Sequence, residues 1–318
     1  MGMLVEGKWQ DKGYDTKSTG GKFVRQASQF THEIGSDGVY QPESGRYHLY
    51  VSYACPWAHR TLIMRELKGL SEHIDVSVVH PDMLGHGWQF GDYPGATGDK
   101  LYGFQFAHQL YTRHQSDITT RVTVPVLWDK KTSTIVNNES AQILRIFNSA
   151  FNEVTGNTVD YYPEQLRQQI DEINDVVYEH INNGVYKAGF ATRQDAYEEA
   201  VDNLFASLDR LEKRLAKQRY LVSGQLTEAD WRLFTTLIRF DAVYHGHFKC
   251  NVKRITDYPN LSNYLRDLYQ MPGIAGTVNM QHIKRHYYFS HKHINPTQIV
   301  PTGPELHFNA PHNRSFLR

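Results

Sequence analysis

One of the two cysteines in the chain, Cys55, stands in "YVSYACPWAHR" directly before Pro56. Proline is a good first residue of a helix, because the N–H it lacks would be unpaired there anyway. The stretch therefore reads as a strand running into a helix, with the thiol at the seam. Unpaired N–H groups and the positive end of the helix dipole favour a thiolate at such a place. They can lower a cysteine pKa from about 8.5 into the range ~3.5–7.5. That is the setting of a nucleophile; the alternative is a small buried apolar residue. Cys250, in "HFKCNVKRI", has no such setting and reads as structural.

Other groupings that invite chemistry are weaker. "STGGKF" suggests a phosphate loop, but the position five before Gly21 is Thr16 rather than glycine, so the spacing that cradles phosphates is missing. The 17 histidines include "HGH" at 245–247 and "HKH" at 291–293. No carboxylate or thiolate cluster completes a ligand set around them, and no metal is expected.

The elements that must position Cys55 follow from local signals. "RYHLYVS" reads as a strand, "PWAHRTLIMRELKG" as a helix closed by Gly69, and "IDVSVVH" as a second strand, making a βαβ unit. After a long loop, residues 81–120, "VTVPVLWDKKTSTIV" gives two strands joined by a turn around Lys130 to Ser133, and "NESAQILRIFNSAF" an amphipathic helix. From about Tyr161 the chain is helical. Leu166, Ile170, Ile173, Val177 and Ile181 make one apolar stripe, and Ala200, Leu204, Leu208, Leu211 and Leu215 another. "QLTEADWRLFTTLIRF" opens with Thr227 as N-cap and Asp230 three residues on, so this strongly apolar helix is expected at the centre of the bundle.

These readings give four segments: an irregular N-terminal arm, 1–45; an α/β domain, 46–152; an all-helical domain, 160–290; and a C-terminal tail, 291–318. At 318 residues and 40% apolar composition the chain can bury a real core. Its 34 Lys plus Arg balance 34 Asp plus Glu, so no basic field draws nucleic acid or anionic lipid. No apolar run is long enough to span a membrane, which takes roughly 18 residues. Two distant cysteines fit a reducing compartment, and the expected location is the cytoplasm.

Over nearly its whole length the chain resembles the glutathionyl-hydroquinone reductases, the Xi class of the glutathione transferase superfamily. The resemblance is carried by "YACPWAHRTLIMRELKGL", "GATGDKLY", "RVTVPVLWDKK", "NESAQILRIFN", "NNGVYKAGFAT" and "YQMPGIAGTVNMQHIKRHYYFSHKHINPT". It implies a thioredoxin-like N-terminal domain, an all-α C-terminal domain, glutathione as cosubstrate and a homodimer. Matched residue by residue, it implies Cys55 as the catalytic cysteine. Trp88, Arg121, Val122, Glu139 and Ser140 take the glutathione-binding positions, and Tyr186 and Tyr287 line the electrophile pocket, with Tyr288 an alternative to Tyr287.

Physical chemistry agrees with these roles. Pro125 falls where thioredoxin-like folds place a cis proline, and Val124 would then offer its backbone N–H and C=O to the extended tripeptide. Glu139 and Ser140 open a helix, where N–H groups suit a carboxylate ligand and the Glu139 carboxylate suits an ammonium; the alternative is an ordinary helix cap. With no second cysteine nearby, a mixed disulfide at Cys55 needs an outside thiol to resolve it, and glutathione supplies one. The expected reaction is reduction of S-glutathionyl-hydroquinones with release of oxidised glutathione. The competing readings are a glutaredoxin-like thiol transferase or dehydroascorbate reductase, and a non-catalytic binding protein on the same fold.

Overall fold

The computed structural model describes residues 2–35 and 38–317. The chain forms two compact units. The first comprises Met1–Tyr14, Gln26–Val159 and Thr277–Ser290; the second comprises Asp15–Arg25, Asp160–Gly276 and His291–Arg318.

In chain order the first unit contains β1 (Met3–Val5), β2 (Lys8–Gln10), β3 (Tyr47–Val51), α1 (Pro56–Leu67), β4 (Asp75–Val78), β5 (Met83–Leu84), β6 (Gly87–Trp88), α2 (Ala107–His114), β7 (Thr120–Arg121), β8 (Val126–Asp129), β9 (Thr134–Asn137), α3 (Ser140–Ser149) and α4 (Asn152–Thr155). The main sheet runs β4-β3-β8-β9, with β3 and β4 parallel and the other neighbours antiparallel. This is the thioredoxin-like arrangement expected from βαβ followed by ββα. All five residues of β3 are buried, including three with polar tips. Each tip finds a partner, as burial demands: Tyr47 Oη donates to the Gln41 carbonyl at 2.6 Å, His48 Nε2 meets Ser77 Oγ at 2.8 Å, and Tyr50 Oη donates to Asp99 at 2.9 Å. Just before β3, the buried Arg46 forms a two-pronged bond with Asp129 at the end of β8, at 2.9 and 2.6 Å. α1 stops where Gly69 takes φ 67°, a left-handed conformation that glycine adopts without strain.

Three expectations are corrected here. The arm is not irregular throughout, for β1 pairs antiparallel with both β2 and β7, and Leu4 is fully buried. Strands of three residues show too little alternation to be read locally. The long loop 81–120 holds the β5–β6 hairpin and the helix α2. α2 buries Ala107, Leu110 and Tyr111, a helical spacing confined to two turns.

The second unit contains α5 (Arg167–Val176), α6 (Gly184–Phe190), α7 (Gln194–Leu215), α8 (Glu228–Arg239) and α9 (Pro259–Tyr269), with wider helical turns at Val177–Asn182 and Phe240–Tyr244. Both expected stripes are buried along their length. All 12 residues of α8 are buried, as a helix surrounded by others must be. Its cap is as expected: Asp230 accepts the Thr227 N–H at 2.8 Å and also holds the Leu221 N–H and the Tyr264 hydroxyl. The segment after residue 290 is strapped to this unit, since the buried Arg314 donates to the carbonyls of Leu215 and Arg219 at 2.7 and 2.8 Å. The third correction concerns α10 (Met280–Ser290), expected in the helical domain. It groups with the first unit. Arg285 makes a two-pronged bond to Asp82, His282 bonds the Pro94 carbonyl and His286 the Pro81 carbonyl, all between 2.7 and 2.9 Å.

Candidate active site

Cys55 is the N-cap of α1 in extended conformation, φ −74° and ψ 120°, and 8% exposed. Its sulfur accepts the Ala58 N–H and donates to the Val124 carbonyl, each at 3.5 Å. The first bond is the one a thiolate strengthens, because it brings the positive helix end onto the sulfur. The second ties the Cys55 sulfur to the segment expected to hold the tripeptide. The Val124–Pro125 bond is cis, which the sequence alone left open. Cys250 stands at no helix start and is fully buried, and that burial pushes its thiol far above the ordinary range.

The segment carrying Val122 and Val124, both buried, is positioned by a residue the sequence reading missed. The phenol of Tyr111 on α2 donates to the Thr123 carbonyl at 2.8 Å and accepts the Thr123 N–H at 3.2 Å, gripping both backbone groups of the residue between the two valines. Burial raises the Tyr111 pKa, so it stays a neutral phenol able to do both. The spacing of Ala107, Leu110 and Tyr111 was the available signal.

Glu139 and Ser140 sit where expected, at the head of α3. Glu139 is the N-cap, and one carboxylate oxygen accepts the Ala141 N–H at 3.2 Å. The other accepts the Ser28 hydroxyl at 3.0 Å. Ser140 is buried and accepts from Arg60 Nη1 at 3.4 Å, while the Arg60 guanidinium lies over the Trp57 ring. α1 and α3 are thus linked immediately behind the cysteine.

Two expected ligand contacts have protein partners. Arg121 bonds the Lys12 carbonyl, the Gly13 carbonyl at 2.9 Å and Gln26 at 3.3 Å, and covers the Tyr14 ring. Its guanidinium holds the N-terminal arm. Trp88 is 7% exposed and stacks on His286 at 4.7 Å, an anchoring role for the hairpin. Gly87 before it has φ 70°, and a side chain there would meet the Trp9 ring at 2.6 Å.

Tyr287 lies in the first unit, 1% exposed and edge-on to His286, whereas Tyr288 is only half-buried. Tyr186 lies in the second unit, within an aromatic cluster of Phe23, Phe190, Tyr244 and Phe248 and with the Arg25 guanidinium over its ring. Among the described residues no group of three or more His, Cys, Asp or Glu is placed to hold a metal ion, and no helix is long and apolar enough to cross a membrane.

Residues 54–150 match the family model for the glutathione S-transferase N-terminal domain, and residues 194–267 that for the C-terminal domain. The chain is 58% identical to glutathionyl-hydroquinone reductase YqjG of Escherichia coli (strain K12), over 99% of this chain and 98% of the relative. It is 54% identical to glutathionyl-hydroquinone reductase PcpF of Sphingobium chlorophenolicum, over 96% of each. Among solved structures, the glutathione-bound structure of YqjG superposes with a TM-score of 0.92 at 53% identity, covering 99% of both chains. The Xi class transferase from Natrialba magadii gives 0.94 at 52% identity, covering 100% of this chain and 97% of that one. With identities of this size over nearly its full length, the chain belongs to the glutathione transferase family, within its Xi class.

Proposed function

We infer that this chain is a glutathione-dependent reductase of S-glutathionyl-hydroquinones, the activity for which its relatives at 54% and 58% identity are named. The observation that carries the reading is the cysteine at the α1 N-cap, accepting a helix N–H on its sulfur. A transferase that only conjugates needs glutathione itself as the nucleophile; a cysteine here makes the protein the nucleophile.

In the first step the Cys55 thiolate attacks the sulfur of the adduct. The new S–S bond joins Cys55 to the glutathionyl group, the ring carbon–sulfur bond breaks, and its electron pair takes a proton at the ring carbon to give the hydroquinone. In the second step a glutathione thiolate attacks the mixed disulfide, oxidised glutathione leaves and the Cys55 thiolate returns. The sum consumes one glutathione per adduct. The ring carbon gains two electrons, and two glutathione sulfurs lose them. Ionisation of Cys55 removes the S–H that engages Val124, which releases that carbonyl for the backbone of glutathione.

Val122, Val124 and Pro125 bind the extended tripeptide. Glu139 takes the γ-glutamyl ammonium, Ser140 and the α3 N-terminus its carboxylate, and Arg121 and Trp88 complete the glutathione site while also holding the arm and the hairpin. Tyr186 and Tyr287 are assigned to the aromatic oxygens of the substrate. The protein acts as a cytoplasmic homodimer, a reading supported by its thiol chemistry and its class. The reading is tested by supplying glutathionyl-menadione and glutathione and following hydroquinone and oxidised glutathione together. They should appear in equal amounts. Activity on aliphatic mixed disulfides without activity on the aromatic adduct would favour the thiol transferase instead.

A further inference from the structure

The N-terminal arm returns to the first unit beside the glutathione end of the site. Thr31 bridges Asn137 in antiparallel register, the Asn138 N–H donates to the Phe30 carbonyl at 3.0 Å, and the His32 N–H donates to the Val136 carbonyl at 3.1 Å. Phe30 is buried, edge-on to Tyr111 and His114 at 5.9 and 5.0 Å. These contacts fix the arm as an added edge along the end of β9. Two residues before Phe30, they deliver the Ser28 hydroxyl to the Glu139 carboxylate at 3.0 Å.

A carboxylate held by one hydrogen bond can turn about its terminal torsion, which is broad and roughly two-fold. Glu139 is held at both oxygens, by the Ala141 N–H on its own helix and by Ser28 on the arm. Its plane is therefore set before any ligand arrives, and each oxygen keeps acceptor capacity for an ammonium. We propose that Ser28 is a positioning residue for glutathione recognition, acting through Glu139, so that the N-terminal arm is a working part of the glutathione site. The proposal rests on the role given above to Glu139.

The test compares Ser28→Ala, Ser28→Thr, Glu139→Ala and the Ser28→Ala/Glu139→Ala double variant, by calorimetric titration of glutathione onto the resting enzyme and by kinetics with the aromatic adduct varied at saturating glutathione. Ser28→Ala should raise the glutathione Kd and the adduct KM about three- to tenfold, the range of one lost hydrogen bond, with kcat and Tm close to wild type. Ser28→Thr, which keeps the hydroxyl, should restore both. In the double variant the serine change should add nothing to the loss from Glu139→Ala. If Glu139→Ala raises Kd and KM and Ser28→Ala leaves them unchanged, the positioning role is wrong and the Glu139 role stands. If Glu139→Ala itself leaves them unchanged, the Glu139 role fails and the proposal with it. Equal, additive losses in both backgrounds would show that Ser28 acts independently of Glu139 and would also overturn the proposal.

Discussion

Replacing Glu139 with Gln separates the charge of this residue from its work as a helix cap. The amide keeps a carbonyl oxygen of nearly the same reach, so the Ala141 N–H, bonded at 3.2 Å, retains an acceptor. What disappears is the negative charge that would meet the γ-glutamyl ammonium. A charge-assisted hydrogen bond contributes about 1.5–3 kcal/mol, which corresponds to a roughly 10- to 150-fold weaker hold on glutathione. The structural cost is smaller. Loss of a negative charge at a helix N-terminus costs about 0.3–1 kcal/mol, a fall in Tm of no more than about 4 °C for a protein of this size. Calorimetric titration of glutathione, steady-state kinetics in the adduct and a thermal melt give the three numbers. The expected pattern is a large change in Kd and KM, a modest change in kcat and a small change in Tm. A Kd within twofold of wild type would refute the assignment and leave Glu139 as a cap alone. A collapse of Tm alongside the Kd would show that the charge serves the fold.

Two further outcomes follow from the chemistry. Replacing Tyr186 and Tyr287 together with Phe should cut reduction of a glutathionyl-hydroquinone at least ~10-fold, the value of one lost hydrogen bond of ~1.4 kcal/mol, and leave an aliphatic glutathione mixed disulfide almost unaffected; equal losses on both substrates would remove the tyrosines from the aromatic site. Stability against pH should carry the mark of His48, whose imidazole is pushed down to about 4 from 6.5, chiefly by burial. The unfolded chain takes up a proton between pH 6.5 and 4 that the folded chain refuses. The contribution is therefore fully present above pH 6.5 and lost as the pH falls toward 4, to the extent of about 3 kcal/mol. Denaturant melts of wild type and His48→Gln across this range should show a shallower acid slope in the variant, and identical slopes would contradict the assignment.

The parts of the fold that were legible in the sequence are those whose signals are local. Pro56 and Gly69 bracket α1, and Thr227 with Asp230 marks the start of α8; each bonds within its own turn. The placement of Cys55 and of the Glu139–Ser140 pair at helix starts was legible for the same reason, since a helix start defines their surroundings. What was not legible depends on partners far along the chain. β1 pairs with β7 across more than a hundred residues, and α10 joins the first unit through Asp82, Pro81 and Pro94. The stacking of Trp88 on His286 could not be read from its glycine-flanked loop, which offers nothing local to pack on. Arg121 carried no sign in its own segment that arm carbonyls would claim its guanidinium.

The central claim is that the Cys55 sulfur becomes covalently bound to glutathione during turnover. A single-turnover experiment tests this most directly: the wild-type protein and an excess of glutathionyl-hydroquinone, with no free glutathione, quenched in acid and measured by intact mass and peptide mapping. The account predicts one hydroquinone released per chain, a mass gain of one glutathionyl group on the peptide containing Cys55, and loss of that group with formation of oxidised glutathione once glutathione is added. Cys55→Ser should show neither the release nor the adduct while keeping the wild-type melt. Release of hydroquinone without a glutathionyl group on Cys55, or undiminished turnover in the serine variant, would contradict it.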